Sequence, residues 1–232
     1  GEYIEYIQGG GKLILSENEA KNLLTKVLSN SKADSATATL EGNNTYNIRF
    51  ARNSISTNGF SDGLSVSITS NIGKKSGSVS TNKFDDASIK EAVKKSEDIA
   101  RVSPDNKEFM PPLGAQNYVT ATNFSSDTEN LTGEKRSDKV AYVIEQSIKN
   151  SVTSAGYMED GAAFYALMNT NGLFAYNKSS MAKLSSTIRT NDGTGSGRFE
   201  KNYVDVNKIN GSGLADWEIN RSKLSVIPQE IK

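Results

Sequence analysis

The chain has no cysteine and no histidine among its 232 residues. Lacking cysteine, it has no disulfide, thiol nucleophile or thiolate metal site. Lacking histidine, it has neither the commonest general base near neutral pH nor the commonest zinc ligand. Any catalysis would fall to carboxylates, Lys, Tyr, Ser and Thr, and any metal to an all-oxygen site. No group of such residues has a spacing that suggests either, so no catalytic, cofactor-binding or metal residue is expected in this chain. An excess of one charge is also missing: Lys plus Arg number 27, Asp plus Glu number 27, and the formal net charge is zero. That balance, with no Lys/Arg run longer than two, argues against direct nucleic-acid binding. No stretch approaches the roughly eighteen apolar residues of a membrane span. No signal peptide is read either, and cytoplasmic residence is the default expectation.

What is present is an ordinary globular composition, 35% hydrophobic and 23% charged, in a length that suits one large domain or two small ones. Residues 1–12 differ from the rest: Tyr3, Ile4, Tyr6 and Ile7 run into Gly9-Gly10-Gly11, which reads either as a tag-like or flexible arm or as an edge strand with a glycine hinge. Ser16-Glu17-Asn18-Glu19 is a capping box, and Ala20, Leu23, Leu24, Val27 and Leu28 follow at helical spacing, so a helix is expected over 17–30. Alternating Thr/Ser-rich segments at 35–41, 45–51, 53–59, 62–71 and 75–81 read as strands. Their turns are expected at Asn43-Asn44, Asn58-Gly59, Asp62-Gly63 and Ile72-Gly73. Asp85 or Asp86 caps a second helix whose apolar face is Ile89, Ala92, Val93, Ile99 and Ala100. A linker-like stretch, 104–133, precedes a further helix at about 134–151 carrying Val140, Val143, Ile144 and Ile148. Strands return at 153–160, 162–170, 172–178, 181–190 and 195–201, with Asn171-Gly172 the strongest hairpin signal, and a last helix is expected over 206–224.

The second half thus repeats the order of the first, helix, strand meander, helix, giving units at 13–103 and 134–232. Leu64 and Leu184, Ile68 and Ile188, Asn71 and Asn191, Gly73 and Gly193, Gly77 and Gly197, Asp85 and Asp205, and Ile89 and Ile209 all share an offset of 120. An internal duplication in an α+β fold, with amphipathic helices packed on antiparallel meanders, is the expectation.

The glycine-rich run Asp192-Gly193-Thr194-Gly195-Ser196-Gly197-Arg198 invites a phosphate-cradle reading, but it lies between strand-like segments and lacks a Lys-Ser/Thr ending, so a hairpin is expected. Arg49, Arg52 and Asn53 near a strand turn are candidates to meet a peptide carboxylate or a partner's acidic group, as are Arg189 and Asp192; the alternative is the solvated face of a sheet. Asp85-Asp86 and Glu159-Asp160 are paired carboxylates better explained by a helix cap and a hairpin than by acid–base chemistry. Trp217 and the tyrosines at 142, 157, 165, 176 and 203 read as core packing.

Several segments together resemble one family. They are Ile48-Arg49-Phe50-Ala51-Arg52-Asn53-Ser54-Ile55, Ser65-Val66-Ser67-Ile68, Gly73-Lys74-Lys75-Ser76-Gly77 and Asp85-Asp86-Ala87-Ser88-Ile89, with Pro104-Asp105-Asn106-Lys107-Glu108-Phe109-Met110-Pro111 closing that half. Ser154-Ala155-Gly156-Tyr157, Asn171-Gly172-Leu173-Phe174 and Asp192-Gly193-Thr194-Gly195-Ser196-Gly197 continue the pattern. Their order is similar to the amino-terminal and middle region of the TldD/PmbA family, the peptidase-related "modulator of DNA gyrase" group, and closer to its PmbA-like type. The resemblance implies that zinc is expected only in a peptidase-type carboxy-terminal domain bearing His-Glu-x-x-x-His, or in a partner. It also implies a TldD-like or PmbA-like subunit as partner in a homo- or heterodimer, and peptides or unfolded proteins as substrate. This region would then be non-catalytic by itself, serving dimer assembly and peptide guidance. The alternative is a scaffold unrelated to proteolysis, for example a topoisomerase modulator. The chain stops at Lys232, where the later domain of the family would be expected to begin.

Overall fold

The structure, a computed structural model, describes residues 13–227; the arm expected over 1–12 lies outside them. The first helix, α1 (Glu17–Leu28), starts as its capping box requires: Ser16 N–H donates to Glu19 Oε2 at 2.6 Å and Glu19 N–H donates to Ser16 Oγ at 3.4 Å. It buries Ala20, Leu23, Leu24 and Val27. Helix α2 (Asp86–Val102) is capped by Asp85, whose carboxylate accepts from Ser88 N–H at 2.9 Å and is held below its usual range chiefly by that bond. It buries Ile89, Ala92, Val93 and Ala100, whereas Ile99 is turned to solvent at 42% exposure. A single turn, α3 (Ser126–Glu129), precedes α4 (Gly133–Lys149), which is capped by Thr132 and buries Val140 and Val143 but leaves Ile148 exposed. The helix expected over 206–224 is divided: a 3-10 turn spans Val206–Lys208, and α5 (Gly211–Leu224) begins afresh with Asn210 accepting from Gly213 N–H at 3.3 Å.

Among the described residues six strands replace the ten short ones expected: β1 (Ser35–Ala51), β2 (Ser54–Ile72), β3 (Lys75–Thr81), β4 (Val152–Asn169), β5 (Phe174–Thr190) and β6 (Ser196–Tyr203). They form one antiparallel sheet in the order β3-β2-β1-β4-β5-β6, so the fold is α+β. The expected turns at Asn43-Asn44, Asn58-Gly59 and Asp62-Gly63 lie inside strands. Their glycines act by close approach: a Cβ on Gly59 would meet the Asn47 amide at 2.8 Å, and one on neighbouring Gly42 would meet Leu13 O at 2.3 Å. Glu159 and Asp160 likewise sit within β4 and not at a hairpin. The turns that do form are Arg52-Asn53, both at positive φ (51° and 58°) as a type I′ hairpin demands, Gly73-Lys74, and Asn171-Gly172 with Gly172 at φ 92°.

The element order helix, three strands, helix does repeat. Asp85 and Asp205 both cap helical turns, and Ile89 and Ile209 are both buried. The offset of 120 does not survive across the hairpins, however. Gly77 pairs with Ser70 and Gly197 pairs with Ile188, so the glycines are 120 residues apart and the residues facing them 118. The longer loop at Asn191–Thr194, closed by Thr190 N–H to Gly195 O at 3.0 Å, absorbs the difference. Duplication is not required by these observations.

Two compact units cut across the chain-order segmentation of 13–103, 104–133 and 134–232, because four strands of 17 to 19 residues are long enough to serve both. Unit 1 comprises residues 13–44, 62–122 and 163–178, and unit 2 comprises 45–61, 123–162 and 179–227. In unit 1, β3 lies so close to α2 that a Cβ on Gly77 would stand 2.2 Å from Ser96 O and 2.4 Å from Ala100 N. Gly77→Ala is therefore expected to cost about 1–3 kcal/mol through overpacking, read as a lower urea midpoint at unchanged slope. In unit 2, Ile48, Phe50, Met158, Leu184, Ile188 and Phe199 of the sheet pack against Val140 and Val143 of α4 and Ala215 and Ile219 of α5. Both helices cover the same face of the unit 2 sheet, and among the described residues no helix covers the other, the open face.

Candidate functional site

Unit 2 holds a cavity of about 460 Å³, lined by Tyr46, Asn47 and Ile48 of β1, Asn58, Gly59 and Phe60 of β2, and Gly133, Arg136 and Ser137 of α4. Arg136 falls on the buried stripe of α4 with Val140, Val143 and Ser147. Its guanidinium makes a two-pronged contact with Asp160, Nε to Oδ1 and Nη2 to Oδ2 at 2.7 Å, and Nη2 also donates to Leu131 O at 3.2 Å. The Tyr46 ring covers the guanidinium, its centroid 4.5 Å from Cζ, and Tyr46 in turn meets Phe60 at 4.6 Å between centroids. Burial pushes the Asp160 carboxyl above its usual range, and Arg136 pulls it back only in part. The site is a buried ion pair walled by two rings, beside the first turn of a helix.

The residues singled out in the sequence lie elsewhere in unit 2. Ile48 and Phe50 of β1 and Leu184 and Ile188 of β5 point to the helices, so Arg49 and Arg189 belong to the open face. There the Arg49 guanidinium lies over the Tyr157 ring at 4.8 Å, and the Tyr157 hydroxyl donates to Glu159. Desolvation first, and the Glu159 carboxylate second, push that phenol up to about 12. Arg52, Asn53 and Asp192 occupy the turns at one end of this face, tied together by way of residues 152–154. Asn53 Oδ1 accepts from Ser154 N–H at 2.6 Å and from its hydroxyl at 2.8 Å. Asn53 Nδ2 donates to Val152 O at 2.8 Å, and Thr153 Oγ1 donates to Asn191 Oδ1 at 2.9 Å. Arg52 is exposed. Asn53→Ala removes three hydrogen bonds and strains a residue at positive φ. It is expected to lower stability by about 2 kcal/mol in a urea titration while leaving the circular dichroism spectrum unchanged.

Asp192 is committed to its own loop, accepting from Thr190 Oγ1 at 2.6 Å and from Thr194 N–H at 3.1 Å; these bonds, the first above all, hold its carboxyl below the usual range. The glycine-rich run is a hairpin: Gly195 and Gly197 are there because α5 passes so close, a Cβ on either standing 2.1 Å from Ser222 O or 2.4 Å from Glu218 O. Trp217, expected in the core, is 49% exposed beneath the Arg221 guanidinium at 5.0 Å, and Tyr165 is 44% exposed.

Glu218 is the unexpected group. It is fully buried on α5, and neither carboxylate oxygen completes a hydrogen bond. Desolvation pushes it up to about 8, against the weaker opposing pull of the Ser186 hydroxyl and the Ile188 amide. Glu97 of α2, equally buried, differs in accepting from Lys32 N–H at 2.6 Å and from Arg101. No three carboxylates among the described residues gather closely enough to hold a metal ion. With no His or Cys in the chain, these residues do not fit a zinc site. Among the described residues no helix is long and apolar enough to cross a membrane.

Residues 36–100 match the family model of PmbA/TldA metallopeptidase domain 1. Over those residues the chain is similar to the first domain of the TldD/PmbA family. That segment holds most of β1, all of β2 and β3, and nearly all of α2. Solved structures share the fold well beyond it. TldE from Thermococcus kodakarensis is 13% identical, with a TM-score of 0.76 over 88% of this chain and 47% of its own. A protein named for DNA gyrase modulation from Thermotoga maritima is 15% identical, with a TM-score of 0.76 over 94% and 50%. One of the same designation from Bacteroides thetaiotaomicron is 14% identical, with a TM-score of 0.73 over 94% and 52%. At these identities the likeness is one of fold, and this chain spans about half the length of each. The search of curated proteins found no match.

Proposed function

We propose that this chain is the amino-terminal region of a TldD/PmbA-type protein in a zinc-peptidase system, non-catalytic by itself, serving dimer assembly and guiding extended peptides to a zinc site in a carboxy-terminal domain or a partner subunit. The observation that carries the reading is the match of residues 36–100 to the first domain of a metallopeptidase family, in a chain without a single His or Cys to bind zinc. The open face of unit 2 supports it. Arg49, Tyr157, Glu159 and Arg189 give it charge of both signs with no acid–base pair poised for hydrolysis, which suits contact with a polypeptide better than chemistry. The test is exchange of residues 1–232 for an unrelated domain within the intact peptidase assembly. Peptide binding and turnover are expected to collapse, and unaltered binding would overturn the reading. Two of the similar structures are named for DNA gyrase modulation, which favours a second reading, a scaffold acting on a topoisomerase; it predicts gyrase binding that persists when peptide turnover has been abolished.

A further inference from the structure

Strand β2 is longer than the neighbour on its outer side. Strand β3 pairs with it only from Val66 to Ile72, so among the described residues the outer edge of Ser54–Ser61, in unit 2, has no strand beside it. Every residue from Ser54 to Ser61 is exposed, including Ile55 at 44% and Phe60 at 54%. Two usual blocking devices, charge and proline, are missing: the segment Ser-Ile-Ser-Thr-Asn-Gly-Phe-Ser contains no Lys, Arg or Pro. Counting out from the two-residue turn Arg52-Asn53, the amides of Ile55 and Thr57 face away from β1.

The other half of the sheet shows what such an edge takes. Strand β6 pairs with β5 only from Ala182 onward, again leaving the first part of the longer strand uncovered. There the chain's own backbone meets it at Ser180: Ser180 N–H donates to Asn123 O at 3.0 Å, and Ser125 N–H donates to Ser180 Oγ at 2.8 Å. Asn58, Gly59 and Phe60 of the uncovered β2 edge also line the Arg136 cavity, which is large enough for one side chain and offers two carboxamides, a hydroxyl and two rings.

We infer that Ser54–Ser61 is a strand-addition site for an extended peptide, with the cavity receiving one polar side chain of the added strand. The inference rests on the peptide-guidance reading and gives it a place. Backbone hydrogen bonds to alternate residues of β2 would supply affinity with little dependence on sequence, and the cavity would supply the preference. The added peptide does for β2 what Asn123–Ser125 do for β5.

The test uses the full chain and a fluorescein-labelled seven-residue peptide of alternating Thr and Val with a central Gln, followed by fluorescence anisotropy. Thr57→Pro removes an outward amide at an edge position that tolerates proline and is expected to weaken binding at least tenfold, with an unchanged circular dichroism spectrum. Phe60→Ala should erase the preference for Gln over Ala at the centre of the peptide. Hydrogen exchange on the parent chain provides a check independent of any variant: the amides of Ile55 and Thr57 should slow when peptide is added. Binding that Thr57→Pro leaves intact, with no new protection at residues 54–61, overturns the edge assignment and leaves the peptide-guidance reading standing. A parent chain that does not bind the peptide removes both.

Discussion

Glu218→Gln is expected to unfold at a higher urea concentration than the parent chain at pH 8 and to lose most of its pH dependence. The carboxyl sits at about 8 in the folded chain against 4.5 in the unfolded one. Below pH 4.5 both states are protonated and the group costs nothing. Between 4.5 and 8 folding takes up a proton, so parent stability falls as pH rises, and above 8 the whole penalty is present. Since each tenfold difference in proton affinity between the two states is worth about 1.4 kcal/mol, the penalty is on the order of 3–5 kcal/mol. Glutamine reproduces the protonated shape without the charge, so the two chains should converge near pH 4 and diverge with rising pH. Parallel stability curves for parent and variant from pH 5 to 9 would show that Glu218 has found a partner and does not titrate as described.

Arg136→Met should have the second large effect, in the opposite direction. It leaves Asp160 buried with a charge and no partner, leaves Leu131 O without its donor, and uncovers one side of Tyr46. A loss of about 3–5 kcal/mol at pH 7 is expected from urea titrations. Without Arg136, the upward push of burial on Asp160 is unopposed by its main counter-charge, so the deficit should shrink as the medium is acidified. The double change Arg136→Met with Asp160→Leu should recover most of the loss, because an apolar pair of similar volume needs no compensation. If the double variant is no better than the single one, the ion pair's geometry contributes more than the mutual neutralisation of its charges.

Two helix starts are legible in the sequence from their capping side chains, whereas the Asn210 cap of α5 is hidden inside a longer expected helix. Ser16 with Glu19, and Asp85, mark two starts correctly because a cap is a local bond between residues three apart. The TldD/PmbA resemblance is legible from the order of several modest segments. The strands are not legible at Gly59, where a turn and a close side-chain approach call for the same residue and only the fold tells them apart. The candidate site is the least legible part. Arg49, Arg52 and Arg189 stand out for their charge, while Arg136 and Glu218 do not, although each stands on its helix's buried stripe: Arg136 with Val140 and Val143, Glu218 with Ala215 and Ile219. A charged residue in register with the apolar positions of a helix is the available signal. Its partner, or the lack of one, lies across the sheet and leaves no local trace.

The interleaving of the two units bears on how the chain is made. A ribosome delivers residues in order, and unit 1 still waits for 163–178 after most of its sequence has emerged. Until then that unit lacks Phe164 and Ala166 of β4 and Leu173 of the turn that follows it, all buried in the finished fold. The early part of the nascent chain must therefore persist unfinished until residues 163–178 emerge, a stage at which exposed apolar surface and bare strand edges invite association with other chains.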